Sequence, residues 1–164
     1  RATWMAVLAV GALLAGCGTG DDRDRGQQED IQFGIWQPDA EGAVRFTATA
    51  DVPNEEDQTY GWRVRLAESE EAVKWIETVT LPEAPESWEG VEDDPNVSIS
   101  EDGRTATTVG IAVPDGGYLG STWVVSLGDP PGEYVMSVEL SDGRQASFTF
   151  RLREPAADGA VSLY

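Results

Sequence analysis

The segment GEYVMSVELSDGRQASFTFRL (132–152) constrains the fold more than any other part of the chain. Two runs alternate apolar and polar residues with a period of two. Tyr134, Met136, Val138 and Leu140 fall on one face of the first, and Ala146, Phe148, Phe150 and Leu152 on one face of the second. That period belongs to half-buried strands and not to a helix. Ser141-Asp142-Gly143 joins them, and Asp-Gly accepts the positive φ angles of a tight turn. The result is a hairpin with one apolar face, which must be covered. Asp102-Gly103 repeats the device between NVSIS (96–100) and RTATTVGIAV (104–113).

The rest of the chain supplies the cover. Short β-rich runs bounded by turn residues recur at 31–36, 43–49, 60–66, 73–81, 104–113, 122–127, 132–140 and 144–152, with 96–100 as a further candidate. No long helical period interrupts them; ESEEAV (68–73) suffices for one turn. The expected fold is all-β: an immunoglobulin-like antiparallel β-sandwich of about 7–9 strands. A closed barrel is the competing architecture. At 40 % hydrophobic residues, the 164-residue chain can build one real core without disulfides. EAPESWEGVEDDPN (83–96) reads as a long acidic loop.

Charge and missing residue types narrow the chemistry. Thirty Asp and Glu against 11 Lys and Arg give a net charge of −19. Such a balance argues against nucleic acid as a partner, since phosphate contacts need clustered cations, and against electrostatic adhesion to anionic lipid. It favours solubility, or a specific cationic partner. There is no histidine and one cysteine, Cys17. Ser-His-Asp and Cys-His sites, zinc clusters and intramolecular disulfides are therefore ruled out. Lys74, the sole lysine, lies in a strand-like run and reads as solvent-facing. No glycine-rich phosphate loop precedes a helix. DDRDRG (21–26) fails as a calcium loop because Arg23 and Arg25 stand at ligand positions. Neither catalytic residues, metal nor cofactor is expected.

Aromatic residues are the remaining candidates for recognition. Trp36, Trp62, Trp75 and Trp123 lie in strand runs and read as core. Trp88 lies in the acidic loop beside Glu86 and Glu89, where it either tucks over an end of the sandwich or meets a ligand. Tyr118, in PDGGYLG, is a second loop candidate of the same kind.

The front of the chain carries its own signal. Arg1 precedes an uncharged run, Trp4 to Leu14, too short for a membrane-spanning helix of ~20 residues but fitting the apolar region of a secretory signal. The run ends Leu14-Ala15-Gly16-Cys17, which resembles a bacterial lipobox. The resemblance implies cleavage before Cys17 and acylation of its thiol and new amino terminus, with two or more acyl chains anchoring stably where one does not. Gly18 after the cysteine, by the same resemblance, favours the outer membrane in a Gram-negative cell. GTGDDRDRGQQED (18–30) has no large apolar residue and reads as a tether spanning ~20 Å on average. The expected organisation is a lipoprotein signal peptide (1–16), a lipidated acidic tether (17–30), a sandwich domain (31–153) and a tail (154–164).

FGIW (33–36), GWRVRL (61–66) and PPGEYVMSVELSDGRQASFTFRL (130–152) resemble an uncharacterised bacterial β-sandwich family that opens on Phe-Gly-Ile-aromatic and closes on a Pro-Gly hairpin. That family has no assigned activity, so the resemblance implies only the fold. The function expected from these observations is a non-catalytic envelope module. It is anchored through acylated Cys17, faces the periplasm or the cell exterior, and binds another envelope protein. The alternative is a carbohydrate-binding module using loop aromatics such as Trp88 and Tyr118.

Overall fold

The computed structural model describes residues 31–66, 71–88 and 90–154. They form ten strands: β1 (Gln32–Pro38), β2 (Val44–Ala48), β3 (Asp51–Val52), β4 (Thr59–Arg65), β5 (Val73–Thr80), β6 (Val97–Ile99), β7 (Thr105–Ala112), β8 (Tyr118–Val124), β9 (Gly132–Leu140) and β10 (Gln145–Leu152). Two sheets result, one ordered β2-β1-β4-β8 and the other β3-β10-β9-β5-β7-β6. Their inner faces enclose a core that includes Phe33, Ile35, Tyr60, Trp62, Trp75, Val79, Trp123, Met136 and Phe150. The chain is an all-β sandwich, as its alternation requires.

The closing hairpin has the expected register. Met136 faces Phe148 and Tyr134 faces Phe150 across β9 and β10. Gly143 takes φ +92° in the turn, and its N–H donates to the Leu140 carbonyl at 3.0 Å. Asp142 accepts from the Arg144 N–H at 3.0 Å, and Asp102 does the same for Arg104 at 3.1 Å. Each aspartate replaces a hydrogen bond that the ladder cannot supply at a turn.

Several internal features place the sandwich in the immunoglobulin class. β1, β4 and β8 take the places of strands A, B and E, and β10, β9 and β5 those of G, F and C. Tyr134, near the start of β9, donates its hydroxyl to the Pro130 carbonyl four residues upstream at 2.9 Å, which forms a tyrosine corner. Trp75 on β5 is 2 % exposed, matching the buried tryptophan of strand C. Met136, two residues beyond the corner tyrosine, is fully buried where an antibody domain carries its second cysteine. Trp62 on β4 packs edge-on against Trp75, ring centroids 5.9 Å apart. Aromatic packing thus replaces an inter-sheet disulfide.

Three expectations are corrected. The sandwich is not wholly antiparallel: β3 runs parallel to β10, pairing Val52 with Leu152. The strand expected at 122–127 spans Tyr118–Val124, because Asp115-Gly116-Gly117 turns the chain earlier, with Gly116 and Gly117 both at positive φ. Trp36 is half-buried on the outer face of the smaller sheet, edge-on to Phe46 at 4.9 Å, and does not fill the core. Its place follows from the pairing, since Phe33 and Ile35 take the inward positions of β1.

Candidate functional site

Three connections gather at one end of the sandwich: 53–58 before β4, 81–96 after β5, and 125–131 before β9. Reciprocal backbone bonds tie two of them together, with Asp57 N–H donating to Val125 O at 3.1 Å and Val125 N–H to Gln58 O at 2.9 Å. The acidic loop folds back over the same end. Its turn is held by the Val91 N–H on the Trp88 carbonyl at 3.1 Å, while the Trp88 N–H reaches the Glu92 carboxylate at 3.2 Å.

Trp88 is half-buried. Its indole N–H donates to the Gly103 carbonyl at 2.8 Å, and its ring packs edge-on against Trp123, centroids 6.3 Å apart. The side chain therefore tucks over the end of the core while keeping one face on a cleft of about 360 Å³. Tyr60, Trp88, Val91, Trp123, Val125 and Tyr134 give the cleft apolar walls. Leu127, also on its lining, is 83 % exposed.

The rim is acidic. Glu56, Asp57 and Glu86 line the cleft as exposed residues, with Asp129 half-buried below them. No lysine or arginine lines it among the described residues. Burial raises the Asp129 pKa, and the bond its carboxylate accepts from the Ser126 N–H at 2.8 Å opposes the rise. Burial, reinforced by the Asp129 charge, also holds the Tyr134 hydroxyl well above its ordinary range. The cleft offers a ligand negative charge at its rim and an aromatic lining in which Trp88 is half-buried.

Behind the cleft lies a residue the sequence reading missed. Glu77 on β5 is 1 % exposed. Its carboxylate accepts the indole N–H of Trp62 at 2.5 Å and that of Trp123. Burial raises its pKa, while the bonds from Trp123, Trp62 and Ser121 pull it down. A charge this deep needs fixed donors, and two tryptophans supply them. Period two carried the signal: Glu77 falls in phase with Trp75 and Val79, both core residues. The same indole of Trp123 joins Glu77 to Trp88, so the floor of the cleft is braced from inside the core.

Tyr118 is not a loop residue. It opens β8 opposite Arg65 and is half-buried. The Arg63 guanidinium lies 5.0 Å from its ring and 3.8 Å from that of Phe46, so Tyr118, Arg63, Phe46 and Trp36 form a row across the outer face of the smaller sheet. Gly34 lies beneath the Phe46 ring, where a Cβ would come within 2.8 Å of it. Trp88 and Tyr118 thus belong to different surfaces. Leu14, Ala15, Gly16 and Cys17 lie outside the described residues, as do the tether and all but the first residue of the tail.

A crystal structure described as an immunoglobulin-like protein (PA1606) from Pseudomonas aeruginosa is 16 % identical, with 76 % of this chain and 92 % of that chain covered and a TM-score of 0.46. No curated protein matches the sequence. The PM0630 beta sandwich domain matches residues 31–153, three-quarters of the chain, and to that family the chain belongs.

Proposed function

We propose that the chain is a lipid-anchored, non-catalytic module of the bacterial cell envelope that binds another protein. The observation that carries the binding role is the cleft at the loop end, where Trp88 and Trp123 wall a concavity beside exposed Leu127. Aromatic side chains at a rigid, partly desolvated site are the usual anchors of protein recognition. Leu14-Ala15-Gly16-Cys17 supports the anchoring role. Acyl chains on Cys17 would hold the domain at the membrane, and residues 18–30 would span about 20 Å on average between the two.

Crosslinking in the native envelope followed by affinity capture tests the binding role. A protein captured by the native chain and lost with Trp88→Ala is the expected result; no enriched protein in either sample overturns the reading. The mass of the mature protein tests the anchor, with an unmodified Cys17 as the contrary outcome.

A second reading, carbohydrate binding, is favoured by the row of Trp36, Phe46 and Tyr118 on the outer face of the smaller sheet. Half-exposed rings on a sheet floor suit stacking on sugar faces. Polysaccharide titration with Trp36→Ala as the comparison variant separates it from the first reading, since that change leaves the loop-end cleft untouched.

A further inference from the structure

We propose that the loop-end cleft is a receptor for a basic side chain, an arginine or lysine presented by the partner protein. The inference rests on the protein-binding reading above and names the chemistry its partner must carry. It stands on the shape and charge of one concavity. The walls are aromatic, from Tyr60, Trp88, Trp123 and Tyr134. Four carboxylates, Glu56, Asp57, Glu86 and Asp129, line the same space, and no described cation among the lining residues neutralises them. Glu86 reaches across to the third loop, its Oε2 placed 3.9 Å from where a Cβ on Gly128 would lie.

A long basic side chain satisfies both halves of this site. Its methylene stem packs on the rings, and its charged head meets the rim carboxylates. The ring faces add cation–π attraction, which strengthens as the cation loses water. An acidic side chain would be repelled. A neutral sugar would leave the carboxylates without counter-charge, at a desolvation cost. Elsewhere on the described surface some carboxylates carry a cation: Asp39 pairs with Arg45, Asp142 with Arg144 at 2.5 Å and Asp51 with Arg153 at 3.5 Å. The cleft sets carboxylates that no described lysine or arginine of its lining neutralises beside the half-buried ring of Trp88.

The test is a titration of the full chain, followed by nuclear magnetic resonance at the indole N–H signals of Trp88 and Trp123. The probes are capped glycine pentapeptides carrying a central arginine, lysine, citrulline or glutamate, with maltopentaose as a neutral sugar. Arginine and lysine peptides are expected to shift both signals saturably, and Glu56→Gln with Glu86→Gln to weaken them about fivefold. Both positions are exposed, so the fold survives the changes. Asp115→Asn with Glu139→Gln removes the same charge at the opposite end of the sandwich, where both residues are exposed, and is expected to leave binding unchanged. Equal shifts from citrulline or maltopentaose, equal weakening by that distal pair, or no saturable shift with either basic peptide overturns the proposal. Envelope capture that depends on Trp88 but is indifferent to Glu56→Gln with Glu86→Gln would remove the basic-side-chain assignment while leaving the protein-binding reading intact. Loss of Trp88-dependent capture altogether would remove both.

Discussion

Glu77 shows how one residue can set the pH response of the core. Its carboxyl faces the indole N–H groups of Trp62 and Trp123. Burial raises its pKa in the folded protein above the ordinary value of 4.5. The folded state then binds the proton where the unfolded chain has released it. Stability from this group is full below the unfolded pKa and is lost as pH rises through the higher folded value. Glu77→Gln is expected to flatten that slope. Urea denaturation of both proteins from about pH 4 to pH 8 reads it, and a pH-independent difference between them would refute the assignment. Asp39, Asp102 and Asp142 act in the opposite sense: their pKa values are lowered, so their stabilisation is lost as pH falls below about 3.8. Tyr134 is a second single-residue test. Tyr134→Phe deletes the corner bond to Pro130 and is expected to cost about 1 kcal/mol in chemical denaturation with the fold unchanged.

Among the elements, β7 shows why a glycine can stand in the middle of a strand. Gly110 pairs with Trp75 across β5 and β7, and a Cβ there would lie 2.1 Å from the Trp75 ring. The indole needs that bare backbone to lie flat beside it. Gly110→Ala is expected to destabilise by about 1–3 kcal/mol, the range for overpacking, and to perturb the tryptophan fluorescence. An unchanged unfolding midpoint would mean that the strand shifts at no cost. The closing hairpin makes the complementary case. Its strands, turn and inward residues were all legible, because alternation and Asp-Gly are local signals. The start of β8 was not. Tyr118 looks like a loop residue after two glycines, and only pairing with Arg65 on β4 draws it into the sheet.

Over the whole molecule, a net charge of −19 opposes compaction, since like charges held close together repel. Salt shortens the reach of that repulsion. Raising ionic strength from about 0.01 to about 0.5 M, where the screening length falls from roughly 30 Å to a few ångströms, is expected to raise the melting temperature. Calorimetry in a weakly binding salt such as sodium chloride checks this, and a falling midpoint would show that local ion pairs outweigh the global field. The same charge would disfavour acidic partners and speed encounter with basic ones. That long-range preference matches the short-range chemistry of the cleft, where four carboxylates surround aromatic walls.

The sequence by itself determined the class of fold. Period-two alternation and Asp-Gly turns act over a few residues, so they survive without knowledge of what packs where. It also shows that this chain carries no histidine and one cysteine. Trp88 was singled out by an anomaly of composition, a large ring in an acidic loop. Only the tertiary structure decided the rest. Two strand neighbours far apart in sequence, Trp62 and Trp123, meet at Glu77, and three separate loops meet at the cleft. The parallel pairing of β3 with β10 joins residues a hundred positions apart. Such contacts depend on how the sheets are ordered and stacked, and that order is a property of the complete fold with no local signature in the chain.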